Sequence, residues 1–201
     1  MAAAKPSGGL PSAYQQVEWI EANTGPMIDT NKYAKLTTKI ECGMQRMDNG
    51  SSGYPSFFGC LNPAILFSIQ GTGTHAYITF GNSGEKVIND AAMRGSIHDI
   101  VVDNTHTAID GVTKITYAAT ALVEDPSVHI GVFGRYKGGD DPYAAIWARC
   151  SYFKIFEGDS LVCDLVPCYR KSDNEIGMYD LVQKAFRTNV GTGAFTKGAD
   201  V

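Results

Sequence analysis

The chain has 201 residues, a formal net charge of −4 and 44% hydrophobic residues, enough apolar material for a substantial core. Its 17 Lys and Arg residues are scattered without a basic stripe, which argues against a nucleic-acid partner. No apolar run reaches membrane-spanning length, so no membrane partner is expected.

Residues 1–12 are small, polar and rich in Pro and Gly. They read as a flexible N-terminal arm that orders only on a partner, ahead of a single domain over 13–201. The opening Met1 to Gly9 lacks an apolar signal core, so no secretory signal is read there. Tyr14 to Glu21 alternates and is taken as one first strand, followed by a turn at Asn23-Thr-Gly-Pro26. Met27 to Asn31 is a short strand. Lys35 to Gln45 places Leu36, Thr38, Ile40, Cys42 and Met44 on one face, the signature of a half-buried strand.

A polar loop over Met47 to Gly53 leads to strands at Tyr54 to Cys60, Ala64 to Gln70 and His75 to Gly81. Asn89 to Arg94 is the one helical candidate. Ser96 to Asp103 and Thr107 to Asp110 predict a hairpin around Asn104-Thr105, and Asp110-Gly111 turns into Lys114 to Ala119. Ser127 to Phe133 is a strand, and Gly134 to Pro142 is read as a loop.

Ala145 to Arg170 is a long hairpin around Gly158-Asp159-Ser160. Its register sets Lys154 against Asp164, Phe153 against Leu165, Phe156 against Val162 and Tyr152 against Val166, matching charge with charge and apolar with apolar. The same register makes Cys150 and Cys168 direct neighbours. Both faces of the hairpin are apolar, which puts it inside a larger β assembly. Gly177 to Val182 and Ala185 to Thr188 then pair around Gln183-Lys184, and Gly191 to Thr196 forms the tail.

Many short strands at roughly 8–12-residue spacing predict an all-β sandwich or jelly roll. The five cysteines show no Cys-x-x-Cys and no zinc spacing. They are expected to be buried free thiols of a protein made in a reducing cytosol.

Chemistry-bearing patterns are few. Glycoside hydrolysis needs two carboxylates at a set separation, and neither of the nearest acidic runs, Asp99 to Asp103 and Glu175 to Asp180, carries three acids in the order Glu-x-Asp-x-x-Glu on one strand. Asp99 and Asp103 are read as solvated strand ends, Glu175 as part of a turn, and the four histidines as strand-surface residues. No catalytic residue is assigned. Gly138-Gly-Asp-Asp141 could present carboxylates to calcium, although two acids in a row also serve simply to solvate a loop, and no cofactor is assigned. The candidate carbohydrate patch is Tyr136, Tyr143 and Trp147 around Asp140 and Asp141, with Arg135 beside them. These are aromatic faces next to polar groups, as sugar sites use.

Leu10-Pro-Ser-Ala-Tyr-Gln-Gln-Val-Glu-Trp-Ile-Glu, Ile28-Asp-Thr, Phe57-Phe-Gly and Ile109-Asp-Gly resemble the core stretches of concanavalin A-like, laminin-G-type domains. So do Phe153-Lys-Ile-Phe, Leu161-Val-Cys-Asp-Leu-Val-Pro-Cys, Glu175-Ile-Gly-Met-Tyr-Asp and Gly191-Thr-Gly-Ala-Phe-Thr. Such domains occur in bacteriophage structural proteins and on gut-bacterial surfaces. The resemblance covers Leu10 to Gly198 and implies a jelly roll of two packed antiparallel sheets.

The expected function is a non-catalytic binding or structural module of a phage particle, a capsid, tail-fibre or decoration protein. It would attach to host-surface glycans and touch other virion proteins through residues 1–12. A purely architectural virion protein without ligand, a cell-surface carbohydrate-binding domain and a glycoside hydrolase are the alternatives, and homo-oligomerisation is left open. The fold alone does not choose among them.

Overall fold

The computed structural model describes residues 9–47, 55–61, 65–69, 75–89, 93–137, 142–143 and 146–201. Strands β1 (Tyr14–Gln16), β2 (Ile20–Ala22), β3 (Ile28–Tyr33) and β4 (Thr38–Arg46) lead to β5 (Ser56–Leu61), β6 (Ile65–Ile69), β7 (Ala76–Phe80) and β8 (Glu85–Ile88). A meander of β9 (His98–Val102), β10 (His106–Ile109) and β11 (Val112–Thr116) precedes β12 (His129–Val132), β13 (Arg135–Lys137) and β14 (Pro142–Tyr143). The last five are β15 (Ala148–Glu157), β16 (Ser160–Arg170), β17 (Ile176–Asp180), β18 (Ala185–Arg187) and β19 (Thr196–Lys197). A single 3-10 turn at Gly81–Ser83 is the only helical element among the described residues. Of the helical expectation at 89–94, positions 90–92 lie outside the described residues, and Asn89, Met93 and Arg94 are not helical.

The strands form two sheets packed as a sandwich. The large sheet runs β11-β10-β9-β4-β15-β16-β17-β18, with β1, β2 and β19 attached to its middle. The small sheet runs β14-β13-β5-β6-β7-β8, with β3 and β12 attached through β5. Pairing is antiparallel throughout except for β13 beside β5. Alternation explains which side faces in. Along β4, Thr38, Ile40, Cys42 and Met44 are buried while Lys39, Glu41 and Gln45 reach the outer face. Phe58 of the small sheet stacks on Phe67 and meets Phe153 of the large sheet edge-on at 5.5 Å, which locks the two layers together.

The long hairpin forms with Lys154 opposite Asp164 and Phe153 opposite Leu165, as expected. Its loop is shorter than the sequence suggested. Ser160 pairs with Glu157, so only Gly158 and Asp159 turn the chain, with Gly158 at φ 59°. A bulge then places Phe156 opposite Leu161 instead of Val162.

The larger correction concerns the open end of this hairpin. β15 and β16 stay paired only from Phe153 to Glu157, and beyond Phe153 they diverge into a fork. Cys150 pairs with Ile20 of β2, and Cys168 pairs with Gln16 of β1. The two cysteines are therefore not neighbours across the hairpin, and Tyr152 does not face Val166.

Pro167 supplies the physical reason. Its carbonyl accepts a hydrogen bond from the Val17 amide at 3.1 Å. The N–H it lacks would point to that same edge, so a regular ladder to β15 cannot run past it. The expected single strand at Tyr14 to Glu21 is accordingly two. β1 runs into the fork along β16, and β2 runs out along β15. The C-terminal tail pairs along both: Thr196 with Glu21, Lys197 with Ile20 and Asp200 with Val17.

Two further differences are local. Arg135 to Lys137 and Pro142, expected within a loop, form with Tyr143 the ladder of β13 and β14. β8, a short charged edge strand, carried too little alternation to be read. All five cysteines are buried and unbridged. Burial lifts the thiols of Cys60, Cys150 and Cys168 to about 12, which makes them inert fillers.

Candidate functional site

The expected carbohydrate patch is divided. Arg135 and Tyr136 lie on β13, and the β13–β14 ladder sets Arg135 opposite Tyr143. Asp140 and Asp141, and with them the calcium question at 138–141, lie outside the described residues. Tyr136 packs partly against the core and stands edge-on to the His129 imidazole, 6.4 Å between ring centres. His129 in turn holds Asp29 at 3.1 Å. Burial, and then the Asp29 charge, push the Tyr136 hydroxyl above its ordinary range. Tyr136 is thus a wall of the sandwich more than an open platform.

Trp147 goes elsewhere, to the outer face of the large sheet. Ala148 and Cys150 point into the core, so Arg149 between them points out; Ile20 and Ala22 likewise leave Glu21 facing out. The β2–β15 pairing sets Arg149 directly opposite Glu21. The Trp147 indole N–H donates to Glu21 Oε1 at 2.8 Å, and Arg149 Nε donates to Glu21 Oε2 at 2.7 Å. The Arg149 guanidinium lies 3.9 Å above the Trp19 ring centre. Gly198 closes on the other part of Trp19, where an added Cβ would come within 2.9 Å of Cε2 and Nε1.

Two half-buried tryptophans therefore flank one carboxylate with both oxygens engaged. Each ring is held by a polar anchor, a preorganised arrangement with little rotamer freedom left to lose on binding. Arg149 keeps 28% of its side-chain surface exposed, and its Nη groups make no hydrogen bond to a described residue. Trp147 was singled out from the sequence; Trp19, Glu21 and Arg149 were not. The available signal was a pair of i, i+2 patterns, Trp19-x-Glu21 and Trp147-x-Arg149, each of which puts two polar-aromatic side chains on one strand face.

The carboxylates examined for catalysis are tied to structure. Asp99 accepts the Tyr152 hydroxyl at 2.8 Å, and the Tyr152 ring lies over Gly43, where a Cβ would meet Cε1 at 2.8 Å. Asp180 is fully buried and accepts the amides of Asp164, Val182 and Gln183. Asp103 accepts from the Thr105 amide (2.7 Å), the Thr105 hydroxyl (2.7 Å) and the His106 amide (2.9 Å). Asp99 and Asp103 are therefore hydrogen-bonded anchors, not the solvated strand ends expected. His98, His106 and His129 each sit within 3.1 Å of an aspartate, so they too are paired and not simply surface residues. Among the described residues, no group of three or more His, Cys, Asp and Glu side chains is arranged to hold a metal ion.

For Asp103, desolvation raises the carboxyl pKa, but the three hydrogen bonds and the neighbouring His106 outweigh it and hold the pKa below its ordinary 3.8. A lowered folded-state pKa means the stabilisation is present at neutral pH. It is lost only as pH falls below about 3.8 through the folded value. Asp103→Ala is expected to cost about 1–2 kcal/mol at pH 7, with the gap to the parent closing in acid. Urea titrations at pH 7 and pH 3 check this, and a gap that persists unchanged at pH 3 would refute it.

No protein-family model matches the chain, and no curated protein matches it by sequence. Among solved structures, it is similar to a provisionally assigned carbohydrate binding protein from Bacteroides ovatus ATCC 8483, with a TM-score of 0.63 and 9% sequence identity. The match covers 92% of this chain and 62% of that protein, so the chain spans less than two thirds of its length. That likeness is one of fold. It places the chain among all-β sandwiches of two sheets and leaves the ligand to be argued from the surface.

Proposed function

We propose that this domain is a non-catalytic glycan-binding module of concanavalin A-like type, with its ligand on the Trp19–Glu21–Trp147–Arg149 platform. The carrying observation is the pair of half-buried indoles fixed around the Glu21–Arg149 ion pair on the outer face of the large sheet. Sugars present apolar C–H faces and hydroxyl edges together, and an indole beside a guanidinium meets both. The similar Bacteroides ovatus fold supports the same reading. Placement on a virion or a cell surface belongs to the proposal and rests on the sequence resemblance alone.

A glycan array, followed by calorimetry on the best binder, tests it. Trp147→Ala should weaken that binding by about thirtyfold, the loss of one central aromatic contact, with the melting transition largely retained. Binding that ignores the substitution, or an array without a single hit, refutes the reading. Release of reducing sugar from a polysaccharide panel would overturn its non-catalytic part.

A further inference from the structure

A second concavity shares none of the platform's residues. Two stretches separated by twelve residues in sequence, Asn174 to Ile176 and Asn189 to Phe195, converge around a cavity of about 320 Å³. Its apolar side is Ile176, half-buried, and Phe195, which is 5% exposed and packed on Phe133. Gly193 and Ala194 form a wall, and Asn174 and Glu175 stand exposed at the rim.

Both walls are built before any ligand arrives. On one side, Asn189 Oδ1 accepts the amides of Met27 (2.9 Å) and Gly191 (2.8 Å), while its Nδ2 donates to the Gly193 carbonyl at 2.9 Å. On the other, Arg170 grips Asp173 through Nε and Nη2, Asp173 accepts the Glu175 amide, and the Arg170 amide donates to the Glu175 carbonyl at 2.9 Å. Asn174 is held in the left-handed region at φ 59°, with its amide on the Arg170 carbonyl. All the polar groups that hold the walls are thereby used. The Asn174 side-chain carboxamide and the Glu175 carboxylate make no hydrogen bond to a described residue.

We propose that this cavity is a second binding site, for a compact ligand carrying a protonated amine and hydroxyls on an apolar ring, the chemistry of a hexosamine. The volume is at the small end for ligand pockets, about 300–1,000 Å³, and suits one ring rather than a chain. Glu175 is the only charged lining residue among those described, and although Arg170 lies within range of its charge, a cation is favoured over an anion at this rim. Asn174 both donates and accepts, matching hydroxyls, and Ile176 with Phe195 meets the ring's apolar face.

Glucosamine, glucose and glucuronic acid titrated into the full chain, followed through the amide resonances of Ile176, Gly193 and Ala194, provide the test. Glucosamine is expected to shift these signals, glucose to do so more weakly and glucuronic acid not at all. Glu175→Gln should lower glucosamine affinity about fivefold, to the level of glucose, the upper end for an exposed charge pair. Ala194→Leu, at an exposed position, should abolish the shifts by filling the cavity. Trp147→Ala should leave them unchanged, which separates this site from the platform. Shifts confined to Trp19 and Trp147, no shifts at all, or equal response to glucuronic acid would each overturn the proposal, whatever the glycan array shows.

Discussion

Phe153→Ala is expected to destabilise the domain by about 3–5 kcal/mol, the usual cost of removing a buried phenylalanine. Phe153 is fully buried and contacts Phe58 across the sandwich at 5.5 Å. It also occupies the last rung at which β15 and β16 pair, opposite Leu165, before they part. On its other edge it pairs with Cys42 of β4. One side chain thus joins the two layers at the apex of the fork, and little around it can collapse to fill the hole. Phe153→Leu, which keeps most of the volume, should cost no more than about 1.5 kcal/mol. Guanidinium unfolding curves of the two variants measure the difference. A loss below about 1 kcal/mol for the alanine variant would mean that the sheets are held elsewhere.

Removal of residues 195–201 should have the larger effect and leave no cooperative thermal transition. Phe195 is 5% exposed and packs on Phe133 at 5.5 Å, a contribution of about 3–5 kcal/mol. The tail adds backbone bonds from the Gly198 amide to the Trp19 carbonyl, from the Glu18 amide to the Ala199 carbonyl and from the Val201 amide to the Gln16 carbonyl. Each is worth about 0.5–1.5 kcal/mol. Their sum approaches the whole stability of an ordinary domain, about 5–15 kcal/mol.

The tail also holds β1 and β2 in the fork, so its loss exposes edges of β15 and β16 together. Removing only Asp200 and Val201 should cost about 1–2 kcal/mol, because Phe195 and β19 stay in place. Circular-dichroism melts of the two truncations distinguish these outcomes. A chain lacking 195–201 that melts cooperatively within a few degrees of the parent would show that the fork is closed without the tail.

The proposed platform is only half legible in the sequence. Trp147 was recognised as an aromatic near polar groups, but it was grouped with Tyr136 and Tyr143, its neighbours in sequence. Proximity along the chain misled, because Trp147 follows a crossing from one sheet to the other. Its indole partner Glu21 is 126 positions away, and the guanidinium that shares this carboxylate is that of Arg149, not Arg135. The motifs around Glu175 and Gly191 were visible as strings, yet nothing in them announced that they would wall one cavity.

What the sequence determined is whatever acts within about ten residues. Alternation marked β4 and β7, and turn residues placed the hairpins at Asn104-Thr105, Asp110-Gly111 and Gln183-Lys184. Complementary side chains set Lys154 against Asp164. What only the tertiary structure decided is which strand edges meet. Every edge offers the same row of amides and carbonyls, so local pattern cannot say that β15 and β16 part after five rungs, or that the two ends of the chain fill the gap. The one local cue was Pro167, an amide missing from the inner edge of β16, and its consequence depended on Val17 and Ile20 being carried there from the opposite end of the chain.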